Sequence, residues 1–128
     1  MPKKLGIHEG TRFAVVRAPP GFAKILGTLP KGAVMATQPD ETVEVAIYFA
    51  KDRRELEERF EAIAARLSPT SALWICWPKK TSGVKTDVDE KVVRATGLAE
   101  GWVDVKVCAI DETWSGLKFV VRLENRPR

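Results

Sequence analysis

Apolar residues in the first half of the chain are grouped into short runs, separated by turns that contain proline or glycine. Three runs are almost free of polar residues, as expected of strands covered on both faces, and they predict strands at residues 13–16, 33–36 and 43–49. Between the first two runs, Phe22, Ile25 and Leu26 have helical spacing. This spacing predicts a short helix that ends near Gly27.

The longest helical pattern follows Asp52. Asp52 and Glu55 form a D-x-x-E capping box, in which the first side chain accepts from backbone N–H groups and the second reaches back. Glu55 and Arg59 are also spaced for an i,i+4 ion pair on the solvent side. One apolar stripe continues from the box until Ser68-Pro69 ends it, and its members are Leu56, Phe60, Ile63, Ala64 and Leu67.

The second half of the chain predicts one buried strand, one helix and two alternating strands. Residues 72–77 are apolar throughout and predict a central strand. Asp87 and Glu90 predict a second capping box, and Gly97 and Gly101 mark the end of its helix. The apolar positions of this helix are Val88, Val92, Ala95 and Leu98. Apolar and polar residues then alternate over 103–109 and 117–124, as in strands near a sheet edge.

The order of these elements predicts an α/β fold. The connector from Asp111 to Gly116 is too short for a parallel crossover, so the last two strands are expected to be antiparallel. A length of 128 residues fits one domain, over residues 1–128. Right-handed crossovers elsewhere predict that this domain is a three-layer Rossmann-like sandwich. Its six-stranded sheet is expected to be mostly parallel, in the order 2-1-3-4-6-5, with the last strand antiparallel.

The net charge and the residue types limit which ligands and which kinds of site are expected. The net charge of +4 permits an anionic ligand but does not indicate nucleic acid. Cys76 and Cys108 lie in apolar runs and His8 is the one histidine, so we expect buried thiols, no metal site and no histidine-dependent triad. No adjacent nucleophile and base indicate a catalytic residue, and we expect no cofactor. No run has the length of a signal peptide core or a membrane span, which predicts a cytoplasmic protein.

Two late blocks, Trp77-Pro78-Lys79-Lys80 and the stretch from Asp111 to Val120, resemble a family of small bacterial proteins catalogued as domain of unknown function 3052. Lys4 to Ile7, Gly10 and Val16 to Pro19 also resemble it, and the likeness covers nearly the whole chain. This resemblance implies no established activity. The predicted topology is also similar to the class I methyltransferase fold without its third strand and the preceding helix, because the terminal antiparallel hairpin is distinctive of that fold.

The methyltransferase fold holds its cofactor with an acidic residue and a glycine-rich turn after the first strand. Glycines there let the backbone approach the ligand. The corresponding stretch here runs from Val15 to Gly21, with an apolar residue in the acidic position and Gly21 as the only glycine. Pro19 and Pro20 also lack backbone donors. The chain therefore departs from the pattern, which argues against the usual mode of S-adenosylmethionine binding.

A candidate ligand site follows from the position of the polar residues. Ligands of open α/β sheets bind outside the carboxyl ends of the strands, where the winding direction changes. Cationic groups, hydroxyl groups and an aromatic wall at this edge suit a small anion. The candidate residues are Arg17, Trp77, Lys79, Lys80, Asp111, Thr113, Trp114 and Ser115, with Lys51 at the same edge.

Each part of this site also has a structural interpretation. Lys79 and Lys80 fit solvated loop charges, Asp111 fits a residue that pins the loop, and Trp77 and Trp114 fit packing residues.

The sequence favours a binding domain for a small anionic ligand or a protein partner, with no catalytic role. The alternative is a divergent methyltransferase-like transferase that lacks the usual glycine-rich cofactor loop. A third hypothesis is an interaction module that pairs through its open edge strand, and we expect a monomer or a weak homodimer.

Overall fold

A computed structural model describes residues 2–122, and all six predicted strands form one sheet. Their order is β2-β1-β3-β4-β6-β5, as predicted. β6 is antiparallel to both of its neighbours, and the other adjacent pairs are parallel. The strands are β1 (Arg12–Val16), β2 (Val34–Ala36), β3 (Val45–Phe49), β4 (Ala72–Pro78), β5 (Trp102–Ala109) and β6 (Trp114–Val121). Leu123 and Glu124, the last residues of the predicted alternation, lie outside the described residues.

Three helices, α1 (Phe22–Leu26), α2 (Arg53–Arg66) and α3 (Glu90–Ala99), cover the two faces of the sheet. Successive side chains of β3 point to opposite faces, so this strand contributes to two cores. Tyr48 belongs to the core beneath α2 and α3, whereas Phe49 belongs to the core beneath α1. Within residues 2–122, no helix has the length and apolar character needed to cross a membrane.

The prediction for α2 is confirmed for the Asp52 cap and for the apolar stripe, but not for the reach-back contact of Glu55. The side chain of Asp52 accepts a hydrogen bond from the Glu55 N–H group at 2.9 Å. Glu55 also lies 3.9 Å from Arg59 as the predicted i,i+4 pair. Ala64 of the stripe is partly buried and packs against the core. The other four stripe residues are buried, and they are Leu56, Phe60, Ile63 and Leu67.

The predicted start of the second long helix is wrong by two residues. Asp89, not Asp87, is the N-cap of α3, and its side chain accepts from the Val92 N–H group at 2.9 Å. Asp87 instead accepts from the backbone N–H group of Arg53 at 2.7 Å, at the start of α2. The carboxylate of Asp87 is thus engaged by the start of α2, while Asp89 caps α3.

The shift also changes the buried face of α3. Val93 and Gly97 are buried, while Ala95 and Leu98 are exposed. Val88 is buried before the helix begins. The sequence pattern missed this face because glycine contributes no apolar side chain to a periodicity.

Strand β5 forms one edge of the sheet, as the alternating pattern predicts. The predicted apolar face of this strand is wrong, because Val105 and Val107 are 55% and 54% exposed whereas Cys108 packs against the core beneath α1. The pairing with β6 is irregular between Asp104 and Lys106, which marks a β-bulge on this edge strand.

Candidate functional site

The carboxyl ends of β1, β3 and β4 lie at one edge of the sheet, and the hairpin turn before β6 returns there opposite Pro78. An open cleft of about 580 Å³ lies at this edge, and we call it the strand-end cleft. The loop after β1 lines one side of it from Arg17 to Pro20. The other side includes Phe49, Lys51 and Trp114. Its position matches the place where open α/β sheets bind ligands.

Aromatic rings form the apolar wall of the strand-end cleft. The rings of Phe49 and Trp114 meet edge to face, with centroids 5.0 Å apart and planes at 88°. Phe22 packs on the other side of Phe49 in a similar arrangement at 5.1 Å. Trp114 is only 7% exposed, so it acts first as a packing residue and presents a small surface to the cleft.

Arg17 has an unusual backbone conformation at the start of the loop after β1. Its φ angle is 60°, and within residues 2–122 it is the only non-glycine residue with a positive φ. This left-handed conformation costs an L-residue with a β-carbon about 1 kcal/mol. Its Nε lies 3.1 Å from Oε1 of Glu55, and this ion pair helps hold the loop in place.

Glu55 connects this loop to the core. The hydroxyl of the fully buried Tyr48 donates to Oε1 of Glu55 at 3.0 Å. Burial and, secondly, the hydrogen bond to Glu55 raise the pKa of Tyr48 above its usual value. The described contacts of Glu55 thus go to Tyr48, Arg17 and Arg59, in place of the reach-back contact of a capping box.

The pairing of Tyr48 with Glu55 was not predicted from the sequence. A signal was present, because the phenol of a tyrosine in an apolar buried strand needs a hydrogen-bond partner.

The predicted site residues do not form a single cluster. Arg17, Thr113 and Trp114 line the strand-end cleft. A larger cleft of about 880 Å³, which we call the lysine cleft, lies between the end of β4 and the start of α3. Four of the predicted site residues line the lysine cleft, and they are Trp77, Lys79, Lys80 and Ser115. Val84 borders both clefts.

The alternation of β6 explains this division. Trp114 and Ser115 are consecutive residues of one strand, so their side chains point to opposite faces of the sheet. Ser115 pairs with Trp77, which packs in the core beneath α2 and α3. Trp114 packs in the core beneath α1. Sequence proximity placed these residues at one edge but could not place them in one cleft.

Asp111 and Lys79 hold the hairpin turn together. Oδ1 of Asp111 accepts from the N–H groups of Thr113 and Trp114 at 2.8 and 2.7 Å. Nζ of Lys79 donates to the backbone carbonyl of Asp111 at 2.6 Å, and the Lys79 N–H group donates to the carbonyl of Thr113. These contacts give both residues a structural role, whereas Lys80 is exposed.

The residues around the strand-end cleft do not fit the usual contacts of an adenosyl cofactor. Pro19 and Pro20 offer no N–H groups after β1. The residues that follow β2 are Thr37 and Gln38, so no carboxylate stands directly after that strand to accept from ribose hydroxyls. Within residues 2–122, no three His, Cys, Asp or Glu side chains are grouped as metal ligands.

No protein-family model matches this chain, and no curated protein matches it in sequence. Solved structures of similar fold do match. A protein of Sulfolobus solfataricus described as a type 11 methyltransferase has a TM-score of 0.65 and 12% identity, over 100% of this chain and 93% of its own. A SAM-dependent methyltransferase from Aquifex aeolicus has a TM-score of 0.62 and 16% identity, over 93% of this chain and 87% of its own.

A third similar structure is that of DhpI in complex with SAH. It has a TM-score of 0.60 and 11% identity, over 95% of this chain and 79% of its own. At these identities the likeness concerns the fold. Together with the strand order, it shows that this chain has the Rossmann-like fold of these structures.

Proposed function

We propose that this chain is a divergent methyltransferase-like protein that holds a small molecule in the strand-end cleft. The ligand carries a planar ring and an anionic group. The conformation of Arg17 is the observation that carries the proposal. A strained arginine at the mouth of a cleft is a typical feature of ligand sites, where the surrounding structure compensates the cost.

The chemistry of the cleft supports this ligand class. Phe49 and Trp114 offer an apolar wall for a ring. Lys51 is exposed just after β3, and Arg17 approaches from the loop after β1, so two cations flank the wall. Two carboxylates line the cleft as well, but Asp52 accepts from the Glu55 N–H group and Glu55 pairs with Arg17. An anionic group beside a ring would meet both surfaces.

The comparisons favour a transferase over a simple binding domain, because each of the three structures described above is a methyltransferase or contains SAH. Since the loop after β1 lacks the glycine-rich turn of methyltransferases, it would contact a ligand through other groups. We also propose that the chain belongs to the family catalogued as domain of unknown function 3052, on the sequence blocks that resemble it.

A second candidate function is the binding of an anionic ligand or partner without transfer, at the lysine cleft. Lys80, Lys85 and Lys91 line this cleft and are exposed. Asp87, Asp89 and Glu90 line it as well and reduce its positive charge. The strand-end cleft remains the first candidate because Arg17, the residue in the left-handed conformation, does not line the lysine cleft.

The test is a titration of the isotope-labelled chain with SAH and with adenosine monophosphate, followed by amide NMR signals. We expect saturable changes at residues 17–20, 49–52 and 113–114 with at least one probe. Ala18→Trp places a large side chain in the cleft and should weaken binding about tenfold. Ala23→Trp, an exposed change on α1, is the control.

Absence of any saturable change with both probes at millimolar concentration would overturn the proposal. Changes confined to residues 77–91 would support the lysine cleft instead. Binding of SAH at the predicted residues, followed by loss in Ala18→Trp but not in Ala23→Trp, would support an adenosyl ligand.

A further inference from the structure

A further cleft lies on the other side of Arg17, and three arginines line it. This arginine cleft has a volume of about 510 Å³ and lies between the ends of β1 and β2 and one flank of α2. Its cations are Arg17, Arg59 and Arg66. Within the described residues its lining includes no acidic side chain, and Thr37 and Gln38 add polar groups.

The three cations reach the cleft from two elements. Arg59 and Arg66 are seven residues apart on α2, and seven residues make nearly two helical turns, so both project from one flank. Arg17 comes from the loop after β1 in its left-handed conformation. Nη1 of Arg66 donates to Oε1 of Gln38 at 3.1 Å, which ties the third arginine to the segment after β2.

Glu55 brings two of the arginines together without cancelling the charge of the cleft. Its Oε1 lies 3.1 Å from Nε of Arg17 and 3.9 Å from Nε of Arg59. One carboxylate stands against three guanidinium groups, so the cluster stays positive. Arg17 and Arg59 each meet Glu55 through Nε, and a guanidinium group carries two further nitrogen donors.

The chemistry of this cluster selects an oxyanion. Guanidinium groups bind phosphate oxygens through paired donors, and arginine is favoured over lysine where such geometry matters. In dinucleotide-binding Rossmann folds, an arginine near the end of the second strand accommodates the 2′-phosphate of NADP. The arginine cleft lies beside the corresponding strand end. The volume of the cleft lies within the range of small-molecule sites.

We propose that the arginine cleft binds the phosphate or pyrophosphate group of a small phosphorylated molecule. The proposal goes beyond the function proposed above, because it concerns a separate cleft that shares only Arg17 with the strand-end cleft. A polynucleotide would offer the same chemical group, but the size of the cleft favours a small molecule.

Inorganic pyrophosphate is the probe, titrated into the full chain at constant ionic strength and followed by amide and arginine Nε–H NMR signals. We expect saturable changes at Thr37 and Gln38 and at the Nε–H groups of Arg17 and Arg59. Arg59→Gln and Arg66→Gln should each weaken binding about tenfold, since each removes one charge-assisted contact.

Arg54→Gln is the matched control. It removes the same charge from the same helix, at a side chain that is 90% exposed and whose ion pair within residues 2–122 is with Glu58. We expect it to change pyrophosphate affinity by less than about twofold, which separates a site from general attraction. Equal losses for Arg54→Gln and Arg66→Gln, or a response that does not saturate, would overturn the proposal.

Two further arms distinguish the remaining outcomes. Lys51→Ala and Ala18→Trp change only the strand-end cleft, so they should leave pyrophosphate binding intact even if the function proposed above fails. A short single-stranded RNA, compared at equal phosphate concentration, should bind no better than pyrophosphate. Tighter RNA binding that Arg54→Gln also weakens would contradict a small-molecule site.

Discussion

The ring of Phe119 occupies the space that a side chain at Gly97 would need. A β-carbon at position 97 would lie 2.1 Å from Cε1 of Phe119, well inside van der Waals contact. Phe119 is fully buried beneath α3, where it also packs edge to face on Phe60. The absence of a side chain at Gly97 therefore sets how closely α3 approaches β6.

Gly97→Ala should destabilise the protein although alanine is the better helix former. Alanine would gain about 1 kcal/mol in helix propensity. Overpacking against a buried ring costs about 1 to 3 kcal/mol, and the short distance places this site at or beyond the upper end. We expect a net loss of about 1 to 2 kcal/mol in the free energy of unfolding, measured by urea denaturation.

The double variant Gly97→Ala with Phe119→Leu serves as the control for this prediction. Shortening the ring relieves the overlap, so the second change should cost less in the alanine background than in the wild type. Simple additivity of the two effects would contradict the proposed contact.

Tyr48→Phe should remove a pH dependence of stability in the alkaline range. The pKa of Tyr48 lies above its ordinary value of 10.0 in the folded protein, because of burial first and the hydrogen bond to Glu55 second. The folded state therefore holds the phenolic proton more tightly than the unfolded state does. This contribution is fully present below pH 10 and is lost as the pH rises towards the folded pKa.

The measurement is a series of urea denaturation curves from neutral to alkaline pH, for the wild type and Tyr48→Phe. Lysines titrate in the same range, so the difference between the two proteins isolates the tyrosine. At neutral pH the variant should lose about 1 kcal/mol, the net value of one hydrogen bond. Tyr48 is the only tyrosine, so ultraviolet absorbance reports its ionisation directly. Phenolate formation in the native protein at its ordinary pKa would contradict the contact.

The two cysteines should differ in reactivity. Cys76 is fully buried, and burial raises its pKa well above the ordinary value. Cys108 is half-buried, and burial raises its pKa as well. At pH 8 we expect iodoacetamide to modify Cys108 slowly and Cys76 only after unfolding, as followed by mass spectrometry. Cys108→Ser is the control, and rapid labelling of this variant in its native state would contradict the assignment.

Lys79 and Lys80 are neighbours with different expected roles. Lys79→Met breaks the contact between Nζ and the carbonyl of Asp111, which should lower the free energy of unfolding by about 1 kcal/mol. Lys80→Met changes an exposed side chain and should alter stability by less than about 0.5 kcal/mol. Thermal denaturation of both variants gives the comparison, and equal effects would rule out a special role for Lys79.

Much of this fold could be predicted from local patterns. The apolar runs, the stripe of α2 and the short connector before Trp114 gave the six strands, and the right-handed crossover rule added their order. These features depend on periodicity, capping and chain length, which act between residues close in sequence. The strand order in turn predicted that a ligand site lies at the carboxyl ends of the strands.

The tertiary structure alone decided how the polar residues are grouped. In the folded chain, Asp87 accepts a hydrogen bond at the start of α2, and Arg17 forms an ion pair with Glu55. Trp114 and Ser115 lie on opposite faces of the sheet. Each of these outcomes depends on contacts between residues far apart in the chain. A local pattern shows that a side chain is polar or apolar, but its partner is set by the packing of whole elements against one another.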